Sequence, residues 1–392
     1  MSHVHSCCDD SRPNIVRAQG CYLYDVDGRQ YVDFEAGDWT AALGHGHPRI
    51  NQVICRQTEQ VQHLGPHYVG DLSEKAAEAL LDVTGIGDGK CTFLCSGSEA
   101  VEFGVQALRH VTEQPLLLTF AESYLGAYGS AGRKDPSEWW LFDWTPCNAC
   151  SHEGECAPDC LLIEEVPFDR IGGFVFEPGN AHGQVKLPPR QLVRALTDSV
   201  RERGGFLMVN EITTGMGRTG AWFGFQHYDV SPDIVALGKG LGNGYPVSAV
   251  VLHSDVIGRL ETGCFRHVQS HQNDPVGCAI AKEVVAVIRE QGLVQRSAEV
   301  GTHFLRELKH LARRHDAVRE VRGRGLMITV ELDPKLTPTD VIAVCDGLLE
   351  RGIIVGVSPS VNLLRFYPPL TIGVKDIAKL VESLDRILDS LA

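Results

Sequence analysis

Lys239 stands in a setting that suits chemistry. The run SPDIVALGKGLGNGYPVSAV carries a short apolar strand, Ile234–Leu237, straight into Gly238-Lys239-Gly240, with further glycines before a second strand. Ligands of open α/β sheets bind beyond the carboxyl ends of strands, and flanking glycines let a bulky group approach the backbone. A lysine taken out of water there can shed its proton and attack a carbonyl. The ordinary alternative for any single lysine is a solvated surface position, which the preceding strand and the crowding glycines argue against. Two other glycine-loop readings fail: a P-loop needs Ser or Thr after the lysine, and GLGNGY lacks the third glycine of G-x-G-x-x-G. A second chemical feature is Ser96-Gly97-Ser98-Glu99-Ala100, which follows the strand Thr92–Cys95 and opens a helix. Ser96 with Glu99 fits a capping box, whose plain meaning is a helix start; amides and hydroxyls at a helix N-terminus also make an anion site. The third is LMVNEITTGMGRTG, a strand ending at Asn210 followed by glycines and the basic Arg218.

Cysteines supply a fourth feature. DWTPCNACSHEGECAPDC spaces Cys147, Cys150, Cys156 and Cys160 as C-x2-C-x5-C-x3-C, with turn-forming residues between them. Four thiolates so spaced suit a tetrahedral zinc site or an iron–sulfur cluster, and the polar SHEGE segment favours zinc, because clusters prefer apolar shelter. Free thiols or a chance disulfide are the plain alternatives. Cys7 and Cys8 with His3 and His5 form a second, looser group of metal-binding residue types.

The elements that position these residues follow from the pattern. Residues 20–34 alternate in polarity about Asp27-Gly28, which predicts a β-hairpin. Thr92–Cys95, Leu116–Phe120, Gly173–Glu177, Phe206–Asn210, Ile234–Leu237 and Val247–Leu252 read as buried strands separated by amphipathic helical stretches. That alternation predicts an α/β fold with a mostly parallel sheet covered by helices. Beyond about residue 290 two helices (about 293–315 and 338–352), the strand-like GLMITVEL and a last helix from about Val374 to Leu391 predict a smaller α+β domain. The expected division is an N-terminal segment of the small domain (1–45), a large domain (46–290, with the Cys-rich loop at 143–162) and the C-terminal small domain (291–392).

Composition excludes several classes. A chain of 392 residues with 43% hydrophobic and 22% charged residues is that of a globular protein of more than one domain. No apolar run approaches the roughly 18 residues of a membrane span, and the first residues lack the basic start and apolar stretch of a signal peptide. A cytoplasmic location is expected. The net charge of −14, without a basic run, argues against a nucleic-acid partner. Thirteen cysteines, an odd number, argue against a closed disulfide framework. Cys55, Cys91, Cys264, Cys278 and Cys345, set among apolar neighbours, are expected to be core thiols.

In this order, YLYDVDGRQYVDFEAG, LGHGHP, SGSEAVE, Tyr124-Leu125-Gly126, FEP, NEITTGMGRTG, PDIVALGKGLGNGYPVSA, VRGRGLM and LRFYPPL resemble the class III (ornithine and ω-amino-acid type) aminotransferases of the fold-type I pyridoxal-phosphate (PLP) superfamily, over nearly the whole chain. The resemblance implies an enzyme that moves an amino group from an amino acid to a keto acid or aldehyde, with Lys239 joined to PLP as a Schiff base and later shuttling a proton. It implies that Gly97 and Ser98 hold the phosphate, that Tyr124 and Ile212 pack on the two faces of the ring, that Asn210 faces the ring nitrogen and that Arg365 binds a substrate carboxylate. Ser270 stands where the family has a threonine that reaches the phosphate from the neighbouring subunit, which implies a homodimer with shared active sites.

Several positions depart from the family pattern. Asn210 replaces the usual aspartate, which keeps the ring nitrogen protonated; a neutral amide gives no charge to stabilise a pyridinium, so a weaker electron sink is expected. Thr213 replaces a glutamine near the phenolic oxygen, and its hydroxyl can still make that hydrogen bond. EPGNAHGQ replaces E-P-x-Q-G-E-x-G, so His182 aligns with a glutamate that can pair with the substrate arginine, and Arg365 is expected to bind α-carboxylates permanently. Leu125 and the run Gln269-Ser270-His271 further alter the pocket. The rivals to amino transfer are racemisation or epimerisation, favoured by Asn210; decarboxylation; and a catalytically weak regulatory or binding protein that uses the Cys-rich loop.

Overall fold

A computed structural model describes residues 13–65, 67, 68, 70–150, 154–156, 160–179 and 183–390. His3, His5, Cys7, Cys8 and His182 lie outside the described residues. The strands, in chain order, are β1 (Ile15–Gln19), β2 (Tyr22–Asp25), β3 (Gln30–Asp33), β4 (Lys90–Leu94), β5 (Leu116–Phe120), β6 (Trp139–Phe142), β7 (Ile171–Phe176), β8 (Phe206–Asn210), β9 (Ile234–Leu237), β10 (Ser248–Leu252), β11 (Val318–Arg324), β12 (Met327–Leu332), β13 (Ile353–Ile354), β14 (Gly356–Ser358) and β15 (Leu363–Phe366).

The central sheet has seven strands in the order β4-β10-β9-β8-β7-β5-β6. All neighbours are parallel except β10, which runs antiparallel to both β4 and β9. Every residue of β5, β7, β8, β9 and β10 is buried, which is why these strands read as continuous apolar runs rather than alternating ones. Helices such as Gly97–Val111 and Arg190–Arg201 lay their apolar stripes on the sheet; Leu192, Val193, Leu196 and Val200 of the latter are buried.

Two smaller sheets complete the molecule. One has the order β11-β12-β15-β14 and carries Arg365; the other has the order β1-β2-β3-β13. In the second, β13 pairs in parallel with β3, so a strand from near the end of the chain completes the N-terminal hairpin. Gly28, with φ +81°, takes the left-handed turn position that Asp27-Gly28 predicts. Helices Leu293–Ala312, Pro338–Glu350 and Val374–Asp389 pack beside these sheets. Strands β1, β6, β11, β13, β14 and β15 were not predicted. β11 reads VREVRGR, only two of its seven side chains are buried, and it pairs with β12 alone; such a strand leaves little apolar signal. The thiols need a partial correction. Cys278 and Cys345 are buried and Cys91 is half-buried, but Cys55 and Cys264 are exposed: Cys55 lies on the outward face of helix Pro48–Gln60, and Cys264 sits just past a helix end, at φ +57°. No helix of the described residues is long and apolar enough to cross a membrane.

Candidate active site

Three strand ends of the central sheet converge on a cavity of about 380 Å³ lined by Asp38, Trp39, Ser96, Gly97, Ser98, Val101, Tyr124, Leu125, Gly126, Asn210, Ile212, Thr213, Lys239 and Arg365. At the end of β4, Ser96 caps helix Gly97–Val111: its Oγ accepts the amide of Glu99 at 3.2 Å, and Glu99 accepts the amides of Cys95 and Ser96. This capping box leaves the Gly97 and Ser98 amides in the first turn, at the positive end of the helix dipole. Ser98 Oγ accepts the Ala127 amide at 3.0 Å and so ties down the Tyr124–Gly126 loop. A side chain at Gly97 would stand 2.7 Å from Ile212 Cγ2, and Gly126, at φ +131°, packs against Ser98. Both glycines bring backbone close to the cavity floor.

At the end of β8, Asn210 is 4% exposed. Its Nδ2 donates to the Tyr124 carbonyl at 3.0 Å and its Oδ1 accepts the Ile212 amide at 3.2 Å, so the orientation of the amide is fixed by one acceptor and one donor. The neighbouring Glu211 faces away. It accepts the Thr214 hydroxyl at 2.6 Å and the amides of Gly224 and Phe225 at 2.8 and 2.7 Å, and burial pushes its carboxyl up to about 7. Arg218, also singled out by the sequence, is likewise structural: it donates to the carbonyls of Leu326 and Pro368, and burial brings its guanidinium down to about 10.

At the end of β9, Lys239 adopts φ +44°, a left-handed conformation unusual for a residue with a side chain. Its Nζ donates to Thr213 Oγ1 at 3.0 Å and sits 4.0 Å from the centre of the Trp39 ring. Burial is the main cause bringing this amine down to about 8, against the opposing charges of Asp38 and Glu177.

Trp39 and Asp38 were not anticipated, and the backbone explains why. Ala36, Gly37, Asp38 and Trp39 all have positive φ (48°, 58°, 59° and 70°). The Asp33 carboxylate holds this left-handed run by accepting the amides of Glu35, Ala36 and Gly37, and it pairs with His45 at 2.7 Å. Apart from the single Gly37, FEAGDWT carries no signal for such a run.

Arg365, on β15, lies with its guanidinium 5.2 Å from the Trp39 ring centre and its Nε 3.9 Å from Glu35 Oε1. Glu35 also accepts the Trp39 indole N–H at 3.3 Å. Space for the pair is made by Gly356, whose added Cβ would collide with Glu35 Oε1, and by Gly183, whose added Cβ would collide with Arg365 Cδ. The expectation that Arg365 binds carboxylates without a competing carboxylate is therefore corrected. His182 lies outside the described residues, and a glutamate from the N-terminal segment stands beside the arginine. Glu35 does not fall in the aligned motif, so only the folded chain reveals it.

Two predicted groups lie elsewhere. Ser270 is exposed on the segment between helices Ser254–Thr262 and Pro275–Glu290 and does not line this chain's cavity. Cys147, in the short turn Thr145–Ala149, and Cys156 are half-buried; Cys150 is exposed and Cys160 opens the turn Leu161–Glu164. Burial first, then the other three thiols, pushes Cys147 up to about 11. Among the described residues, no three of the four sulfurs lie within 4.8 Å of one another.

Comparisons with known proteins agree with this geometry. A family model, "Aminotransferase class-III", matches residues 8–131 and 148–388. The acetylornithine aminotransferase of Methanocaldococcus jannaschii is 29% identical over an alignment covering 96% of this chain and 94% of that protein. The alanine/serine racemase of Pyrococcus horikoshii is 28% identical, covering 95% of this chain and 85% of that protein. Among solved structures, a Bacillus anthracis aminotransferase superposes with a TM-score of 0.90 at 24% identity, covering 100% of this chain and 96% of that one.

Proposed function

The chain belongs to the class-III aminotransferases, and from that premise we propose that it transfers an amino group from an amino acid to a keto acid or aldehyde on PLP held at Lys239. The observation that supports this reading is the buried amine of Lys239 at the end of β9, facing a cavity that also holds a helix N-terminus, Asn210 and Arg365. The residues fit the cofactor. The Gly97–Ser98 cradle, which the capping box leaves open and which Ile212 and Gly126 approach closely, suits a phosphate. The aromatic Tyr124 and the aliphatic Ile212 are the packing groups for the ring, and Thr213 offers a hydroxyl beside Lys239.

When bound, PLP supplies a carbonyl that an amine can capture and a ring that draws off the electron pair left on carbon. The work of the chain is to deliver groups to that chemistry. Lys239, with its proton held weakly by burial, is available as a neutral amine to attack and, once released, to move a proton at the substrate's α-carbon. Arg365 orients the incoming carboxylate. Trp39 closes the wall between the two and keeps water from the amine. Asn210 presents a neutral amide where a carboxylate is usual in the family; fixed by Tyr124 and Ile212, it provides no counter-charge to a protonated ring nitrogen.

The enzyme acts in the cytoplasm as a homodimer, with Ser270 contributing to the neighbouring subunit's phosphate site; its exposed position outside its own cavity favours this arrangement. Cys147, Cys150, Cys156 and Cys160, spaced C-x2-C-x5-C-x3-C, hold zinc, or failing that an iron–sulfur cluster. Metal content of wild type against Cys150→Ser and Cys156→Ser tests this, and equal content sinks it.

The decisive experiment is the absorption spectrum before and after borohydride, with wild type and Lys239→Ala compared. A visible band that reduction abolishes in wild type and that the variant lacks, together with amino transfer lost in the variant, is the expected result. Full activity in Lys239→Ala refutes the assignment. A second reading, racemisation, is favoured by the neutral Asn210; interconversion of stereoisomers without any keto acid would establish it.

A further inference from the structure

Away from the cavity three metal-binding side chains meet. His63 follows helix Pro48–Gln60 and His271 lies just before helix Pro275–Glu290. Each aims its Nδ1 at the carboxylate of Asp274: His63 stands 2.9 Å from Oδ1 and His271 2.8 Å from Oδ2. The two rings are 4.5 Å apart, and one donor atom from each of the three residues lies within 4.8 Å of the others. Asp274 occupies the N-cap position of its helix, yet its side chain makes no cap bond. An aspartate there ordinarily accepts an amide of the first turn, to a benefit of about 1 kcal/mol. Here the carboxylate is given to the imidazoles, and these are the ion pairs it makes among the described residues. The trio also opens on a cavity of about 250 Å³, which leaves space for water.

We infer that His63, His271 and Asp274 form a binding site for a divalent transition-metal ion of the zinc class. Two imidazole nitrogens and a carboxylate oxygen are a donor set that zinc accepts at about 2.0–2.2 Å, with the remaining position open to water. Small rotations of the three side chains convert the present hydrogen-bonded spacing into ligation. Ligation needs each Nδ1 bare: a ring that carries its one hydrogen on Nδ1 shifts it through solvent to Nε2, and a doubly protonated ring keeps the Nε2 hydrogen and releases the Nδ1 proton to solvent. The ion staples the segment after helix Pro48–Gln60 to the loop 264–273. In that loop Asn273 already clamps β4: its Oδ1 accepts the Phe93 amide at 2.9 Å, and its own amide donates to Phe93 O at 3.0 Å. Since β4 leads directly into Ser96–Ser98, the metal braces that end of the chain's own cavity, which none of its three ligands lines.

The test is zinc binding to the full-length, cofactor-loaded protein, stripped beforehand by chelation. Wild type, His63→Gln and His271→Ala are compared by calorimetry and by bound metal after dialysis, with circular dichroism confirming the fold. Because the Cys-rich loop is intact in all three, the difference isolates this site. The expected result is loss of one bound zinc per chain in each histidine variant, with a smaller zinc-induced rise in melting temperature than in wild type. Equal zinc content and an equal thermal shift in all three proteins would overturn the inference, whatever the cysteines or the N-terminal residues bind. The spectrum of the bound cofactor, read in the same samples, reports separately on the aminotransferase assignment.

Discussion

Replacing Glu35 by Gln removes a negative charge from beside Arg365 while keeping the shape and the hydrogen-bond acceptor for Trp39. The ion pair at 3.9 Å joins side chains only 18% and 17% exposed. At an effective dielectric constant of about 20, its attraction is about 4 kcal/mol. A substrate carboxylate must compete with that attraction. If it docks on the opposite side of the guanidinium, about 8 Å from Glu35, it also meets a repulsion of about 2 kcal/mol, or about 30-fold in affinity. Solvent at the rim reduces this to about 10-fold. The expected outcome for Glu35→Gln is therefore a KM for an amino acid lower by about 10-fold, with kcat little changed and no change in KM for an amine that lacks a carboxylate. The pH dependence has a definite sign. Burial, ahead of the opposing pull of Arg365, holds the Glu35 carboxyl above its usual range, so acidification neutralises it and frees the arginine. The KM of wild type for an amino acid should fall as pH falls toward that raised value, and the variant should lose this dependence. Steady-state kinetics with an amino acid and a matched amine decide the matter. An unchanged or higher KM in Glu35→Gln, or an equal drop for the amine, refutes the reasoning.

Uptake of PLP by the apo-protein, followed by absorbance, should accelerate as pH rises to about 8 and then level off, because burial brings the Lys239 amine there; acceleration continuing toward 10.5, its ordinary value, would mean that the amine is solvated. Asn210→Asp should raise the protonated fraction of the bound ring, seen as a cofactor band whose position ceases to vary with pH near neutrality; identical titrations for the two proteins would show that the residue does not face the ring nitrogen. Gly183→Ala places a methyl group against the Arg365 side chain at a position with φ +81°. It should raise KM for amino acids by about tenfold or more while Lys239 still captures the cofactor, and an unaltered KM would show that Arg365 is not the carboxylate anchor.

The parts of the molecule that could be read from sequence are those where local pattern and tertiary role coincide. β5, β8 and β9 match the apolar runs residue for residue, because strands buried on both faces have no reason to alternate. Asn210 ends one such run, Lys239 follows another and Ser98 lies just beyond β4, and the three line one cavity. Trp39 and Glu35 were not found, because their positions depend on a left-handed run that a distant carboxylate, Asp33, imposes on ordinary residues. The trio His63, His271 and Asp274 was equally silent. Its members join two segments far apart in sequence, and no spacing rule connects them. Edge strands such as β11, with only two of seven side chains buried, fail for a related reason: the pattern records burial, and little is buried there.

The pairing of β3 with β13 has a consequence for how the enzyme comes into being. Glu35 follows β3 and Arg365 follows β13, so the substrate end of the cavity is made from the first and last parts of the chain. The cofactor end, from Ser96 to Lys239, lies wholly between them. On the proposed assignment, the ribosome therefore releases the residues that would hold the cofactor well before the arginine that would bind the substrate. A nascent chain passes through a stage that holds the reactive amine but has no means of selecting what reacts with it, and specificity is the last property to emerge.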